Sequence, residues 1–216
     1  MKTWLADRGL TLVLMLMFLI SVAGQMLSGW RVENQDLLRH GQPALDLLGY
    51  LGGPPFWAAL FENWESEFLQ MGVYVVLTAM LVQRGSAESR DPDAAARDDL
   101  PSQDPAAPAL ARRGGMLGWL YAHSLGLALG LLFVASFALH WAFSARAAAQ
   151  EALEHGQPAE TTLAYLVDPQ LWFESFQNWQ SEFLSTAVLV VLSIFLRQKN
   201  SPESKAVAAP DDATGA

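Results

Sequence analysis

Glu67 and Glu182 each stand at the start of a fully apolar stretch, Phe68 to Val82 and Phe183 to Leu196. A carboxylate at the edge of such a segment is costly, and it marks a functional position by default. Asn63, Glu67, Gln70 and Tyr74 are spaced i, i+4, i+7 and i+11, which puts them on one stripe of a helix, and Asn178, Glu182 and Ser185 repeat its first three positions. Brought together, the two carboxylates would share a proton, bind a cation or hold a basic group, because like charges in a low dielectric raise one pKa. The plainer alternative is that Asn63 and Glu67 solvate the outer end of their helix.

Histidine supplies a second set. His40 and His155 occupy equivalent positions before Gly-Gln-Pro, and with Glu67 and Glu182 they form a candidate His/Glu metal site. No HxxxH or ExxH pair demands it, and a histidine that ends a helix also serves to cap the last carbonyls. His140, near the outer end of an apolar run, has Gln25 as its counterpart, and both residues can hydrogen-bond between helices. With no cysteine, the chain can carry no disulfide, thiolate nucleophile or thiolate-bound cluster. There is no phosphate-binding glycine loop, nucleophile elbow or basic aromatic surface for nucleic acid, so neither a catalytic constellation nor a cofactor is expected.

The elements that must position these residues come in duplicate. Shifted by 115 residues, His40 to Ser89 lies on His155 to Ser204 without a gap and matches at 26 of 50 positions. Phe61-Glu62-Asn63-Trp64-Glu65-Ser66-Glu67-Phe68-Leu69 returns as Phe176-Gln177-Asn178-Trp179-Gln180-Ser181-Glu182-Phe183-Leu184. Of 216 residues 52% are hydrophobic and 16% charged, and the apolar residues gather in four runs, which points to a membrane protein. Two of the runs, Leu10 to Leu27 and Leu125 to Phe143, approach the ~20 residues that a bilayer core requires. The other two are shorter, and the four-residue spacing of Phe56, Leu60, Trp64 and Phe68 extends the first of them into a helix from about Pro55 to Gln83, with a twin from about Pro169 to Gln198.

Leu10 to Val22 after Lys2 and Arg8 has the look of a secretory signal, but its internal counterpart from Leu125 onward argues for a retained helix. Lys2, Arg8, Arg84, Arg90, Arg97, Arg112, Arg113, Arg197, Lys199 and Lys205 fall on one side of the runs, against Arg31, Arg39 and Arg146 on the other, so both termini are expected in the cytoplasm. The net charge is −9, but the acidic residues are concentrated in the outer segments, the linker and the tail, so the total says little about partners. The expected fold is all-α, an integral membrane four-helix bundle built from two tandem, parallel two-span repeats, 1–85 and 114–200. A disordered cytoplasmic linker, 86–113, joins them, and a disordered tail, 201–216, follows. The outer segments, Trp30 to Gly53 and Phe143 to Asp168, are expected to hold a short helix before His-Gly-Gln-Pro.

The duplicated Asn-Trp-x-Ser-Glu-Phe-Leu block, the His-Gly-Gln-Pro turns and the exit at Gln83 to Ser89 resemble a family of small bacterial membrane proteins catalogued as a domain of unknown function. The resemblance covers Trp4 to Ser89 and Met116 to Lys205, and it implies no activity. Three readings follow. The first is a non-enzymatic structural or accessory component of the bacterial inner membrane, partnered by the lipid bilayer and by further copies or a larger complex. The second is a homo-oligomeric transporter or channel using Glu67 and Glu182. The third is a metal-binding membrane enzyme or redox subunit.

Overall fold

In a computed structural model, which describes Trp4 and residues 7–94 and 106–215, the chain is all-α, with seven helices and no strand among those residues. They are α1 (Gly9–Arg39), α2 (Leu47–Gly52), α3 (Pro54–Met80), α4 (Gly115–Ala122), α5 (Ser124–Glu154), α6 (Thr162–Tyr165) and α7 (Pro169–Phe195). α1 and α5 have 31 residues each, and α3 and α7 have 27. At 1.5 Å per residue these are roughly 46 and 40 Å long. All four helices start and stop at positions 115 residues apart.

Local chemistry sets those limits. α1 runs through the segment where a separate short helix was expected, because nothing between Leu10 and Arg39 interrupts the backbone ladder. It stops where Gly41 adopts φ +73°, with Gly41 N–H on the Leu38 carbonyl (3.1 Å) and Gln42 N–H on that of Leu37 (2.8 Å). This pair of bonds is the Schellman arrangement, which glycine permits by tolerating a left-handed backbone. Gly156 (φ +67°), Leu153, Gln157 and Ala152 do the same at the end of α5. The short helices α2 and α6 follow the His-Gly-Gln-Pro turns, capped by the side chains of Asp46 and Thr161. Pro54 and Pro169 then open α3 and α7, where a missing N–H costs nothing.

α3 is central: it pairs most extensively with α5 and also packs on α7. Small residues allow the close α3–α5 approach. A Cβ at Gly72 would stand 3.5 Å from that of Leu129, and one at Gly126 would stand 3.6 Å from Val76. The equivalent positions on α7 and α1 are Ala187 and Thr11, and α1 has no buried residue at all. α1 instead meets α2 and α3 through its C-terminal half, where Val22, Met26 and Trp30 pack around Tyr50, Phe56 and Leu60. Gly29 is required there, since a Cβ would strike the Tyr50 hydroxyl.

At the opposite end the two chain exits pack together. Where composition suggests disorder, Lys205 is 2% exposed and its Nζ donates to the carbonyls of Gly85 (2.6 Å), Asp211 (2.9 Å) and Ala213 (3.0 Å). Gly215 N–H reaches the Ser86 carbonyl (3.0 Å), and the Ser86 and Ser193 hydroxyls meet at 2.8 Å. Both exits also close the same turn, with Gln83 N–H on Ser89 Oγ and Gln198 N–H on Ser204 Oγ, each at 2.8 Å.

Candidate functional site

The polar centre of the molecule lies where the Trp-rich ends of α3, α5 and α7 meet. His140, on α5, and Glu65, on α3, are both fully buried. His140 Nδ1 lies 3.0 Å from Glu65 Oε2, and Nε2 lies 3.3 Å from Glu174 Oε2 on α7. An ionised carboxylate can only accept, so Nδ1 carries the hydrogen toward Glu65. The buried Ser175 hydroxyl donates to the other Glu65 oxygen at 2.8 Å. Glu65 therefore has both oxygens occupied, as a buried carboxylate must if its desolvation is to be offset.

The two remaining carboxylates are each held by an amide. Gln170 Nε2 donates to Glu174 Oε1 at 2.8 Å, and Asn178 Nδ2 donates to Glu62 Oε1 at 2.6 Å. One ligand atom from each of Glu62, His140 and Glu174 comes within 4.8 Å of the others, the arrangement among the described residues that could hold a metal ion. The helices bring these groups together by register. Glu62 and Glu65 are one turn apart on α3, as are Glu174 and Asn178 on α7, and His140 lies on the α5 face between them.

The residues singled out from sequence are placed as follows. Asn63 and Glu67 are exposed and line an open cleft of about 640 Å³ between α1 and α3, beside Gln25. Asn63 Nδ2 donates to the Ala59 carbonyl, and the Glu67 side chain makes no hydrogen bond among the described residues. Glu182 is half-buried, close enough to Glu67 for their charges to interact, but no bond joins them. Asn178 is the one member of that set that enters the cluster. His40 and His155 meet edge to face at 5.9 Å, each with Nδ1 on the carbonyl four residues back, so they cap α1 and α5 and have neither glutamate beside them. His140 bonds between helices, as its position suggested.

Glu62, Glu65, Glu174 and Ser175 fall outside the sequence-predicted set, which consists of residues that the two halves share. The available signal was the opposite one: at the 115-residue offset their counterparts are Gln177, Gln180, Ala59 and Leu60.

Fold and site define an all-helical protein that has, among the described residues, two helices long and apolar enough to cross a membrane, Gly9–Arg39 and Ser124–Glu154, and a buried histidine–carboxylate cluster. The chain matches, over residues 1–216, the model of the family described as Domain of unknown function (DUF6766), and it belongs to that family. No curated protein and no solved structure matches it.

Proposed function

We propose that the protein is a multi-pass component of the bacterial inner membrane, non-enzymatic and structural or accessory in role, with α1, α3, α5 and α7 crossing the bilayer and both termini cytoplasmic. The carrying observation is the uncovered apolar surface of the long helices. α1 leaves Leu10 and Val13 to Ile20 exposed, and α7 leaves Phe183, Leu184, Val188, Leu189, Val191, Leu192 and Phe195 exposed. Contiguous apolar surface of this extent is tolerated only when something covers it, and lipid covers helices of this length. The contact between the two chain exits supports a common side for the linker and the tail.

The chain has no native cysteine, so single cysteines report topology cleanly. Ala44→Cys and Ala159→Cys, in the exposed His-Gly-Gln-Pro turns, should react in intact cells with a membrane-impermeant maleimide, whereas Arg90→Cys should react only after permeabilisation. The reverse pattern, or labelling of all three from outside, contradicts the reading.

A homo-oligomeric transporter or channel is the second reading, favoured by Glu67 lining the α1–α3 cleft with Asn63 and Gln25. Cation flux in proteoliposomes that falls on Glu67→Gln supports it. Flux that survives removal of both Glu67 and Glu182 rejects it.

A further inference from the structure

We infer that Glu62, His140 and Glu174 form a binding site for one divalent transition-metal ion of the zinc, manganese or iron(II) class. The site rests on the membrane reading only for the side of the bilayer it faces.

Each of three helices contributes one donor, and the donor atoms converge within 4.8 Å. The 3.3 Å between His140 Nε2 and Glu174 Oε2 is long for a charge-assisted hydrogen bond, which runs about 2.7–2.9 Å. It equals the edge of a tetrahedron whose ligands stand about 2.0–2.1 Å from a central ion, which works out at roughly 3.3 Å.

Every donor is already oriented from behind. Glu65 accepts the His140 Nδ1 hydrogen, so an ion that displaces the proton between Nε2 and Glu174 would meet the Nε2 lone pair directed at the centre, and Ser175 fixes Glu65 in turn. This is the carboxylate–histidine–metal relay, in which the outer carboxylate sets the tautomer and raises the basicity of the ring. Asn178 and Gln170 each tie down one oxygen of Glu62 and Glu174, leaving the other for an ion.

Charge points the same way. Glu62, Glu65 and Glu174 bring three negative charges against at most one on His140, and no Lys or Arg forms an ion pair with any of the four among the described residues. Uncompensated charge in a buried, low-dielectric site is severely penalised, and a divalent ion removes most of it. One imidazole and two carboxylates, with no thiolate, is a borderline-to-hard donor set that suits zinc, manganese or iron(II) and leaves a coordination position open for water or a ligand oxygen.

The test uses full-length protein in detergent, stripped with chelator, titrated separately with zinc and manganese, desalted and assayed for metal per chain, with unfolding followed in parallel. Binding of one ion per chain, accompanied by a higher Tm, is expected. The informative variants are Glu62→Gln and His140→Gln, which install the residue that the other half of the chain carries at Gln177 and Gln25. Each should weaken binding more than about 10-fold, and Glu65→Gln, which acts through His140, should weaken it by about 10- to 100-fold. The double variant His40→Gln/His155→Gln should bind like the unaltered chain.

Cobalt(II) gives a second readout: its visible bands should shift when His140→Gln removes the nitrogen ligand. Circular dichroism and gel filtration identify any variant that misfolds, and Glu174→Gln, with its partly exposed side chain, then replaces it. An unaltered chain that retains no more metal than His140→Gln/Glu174→Gln overturns the site, as does binding abolished by His40→Gln/His155→Gln. Metal binding with reversed cysteine labelling would leave the site standing and remove only the proposed topology. Correct labelling without metal would do the opposite.

Discussion

The two halves of the chain carry the same motif and use it differently. Asn63 and Asn178 each donate to the carbonyl four residues back, on Ala59 and Glu174, and Ser66 and Ser181 each donate three residues back, to Asn63 and Asn178. The shared residues thus bond within their own helix in both halves, and Asn178 also reaches across to Glu62. The cluster uses positions where the halves part: Glu65 against Gln180, Glu62 against Gln177, His140 against Gln25, and Glu174 against Ala59. A duplicated chain has two of everything local, but it has one place where α3, α5 and α7 meet, and that single place is furnished by divergence. Apart from Asn178, identity between the halves reports helix-internal bonding, and difference between them reports the site.

The largest effect should come from breaking the buried partner. Glu65→Ala leaves His140 Nδ1 and Ser175 Oγ without acceptors at fully buried positions, and loss of one member of a buried ion pair costs about 3–5 kcal/mol. Gln180→Ala, at the equivalent but exposed position, should stay within about 0.5 kcal/mol. Thermal or denaturant unfolding in detergent measures both, and equal losses would erase the contrast between the halves.

Packing gives the next effect. Gly72→Leu would drive a side chain into Leu129 on α5, with an overpacking cost of about 1–3 kcal/mol, whereas the exposed Ala187→Leu should be nearly neutral. Smaller again is Lys205→Ala, which frees the Asp211 and Ala213 carbonyls of the tail and the Gly85 carbonyl of the other exit, whereas Arg90→Ala, at the offset position, removes an exposed side chain. Limited proteolysis should cut residues 201–215 faster in the first variant and leave the second unchanged.

The smallest effect is a pH dependence. Burial pushes the Glu88 carboxyl above the usual range against the hydrogen bond from Tyr74, with the nearby Glu203 charge adding to the rise. A carboxyl that holds its proton more tightly when folded penalises the fold as pH rises from the ordinary value near 4.3 through the raised one, and the penalty is complete above it. Protease resistance of the tail should therefore increase on mild acidification, and Glu88→Gln should flatten that response.

Much of the frame was legible from sequence. Gly41 and Gly156 mark the helix ends, Pro54 and Pro169 the helix starts, and the apolar spacing of Phe56, Leu60, Trp64 and Phe68 carries α3 beyond its apolar run. Helix limits are local chemistry. The cluster was not legible, because it depends on which helices meet. Glu65 reads on its own helix as one more outer-end acid, and only the α3–α5 contact, set by Gly72 and Gly126, carries it to His140, 75 residues away. Lys205 reads as a tail charge for the same reason, until the other exit supplies Gly85.

The most direct test of this account is a double-mutant cycle between Glu65 and His140, with Glu65→Gln, His140→Gln and the pair compared in unfolding of the full chain. Residues that share a buried bond should couple by about 1–3 kcal/mol, and the double variant, carrying the glutamines that the other half already has at Gln180 and Gln25, should be less destabilised than the two single losses summed. Additivity within about 0.5 kcal/mol would mean that the two side chains do not act together, and the account of a single site built from the differences between the halves would be wrong.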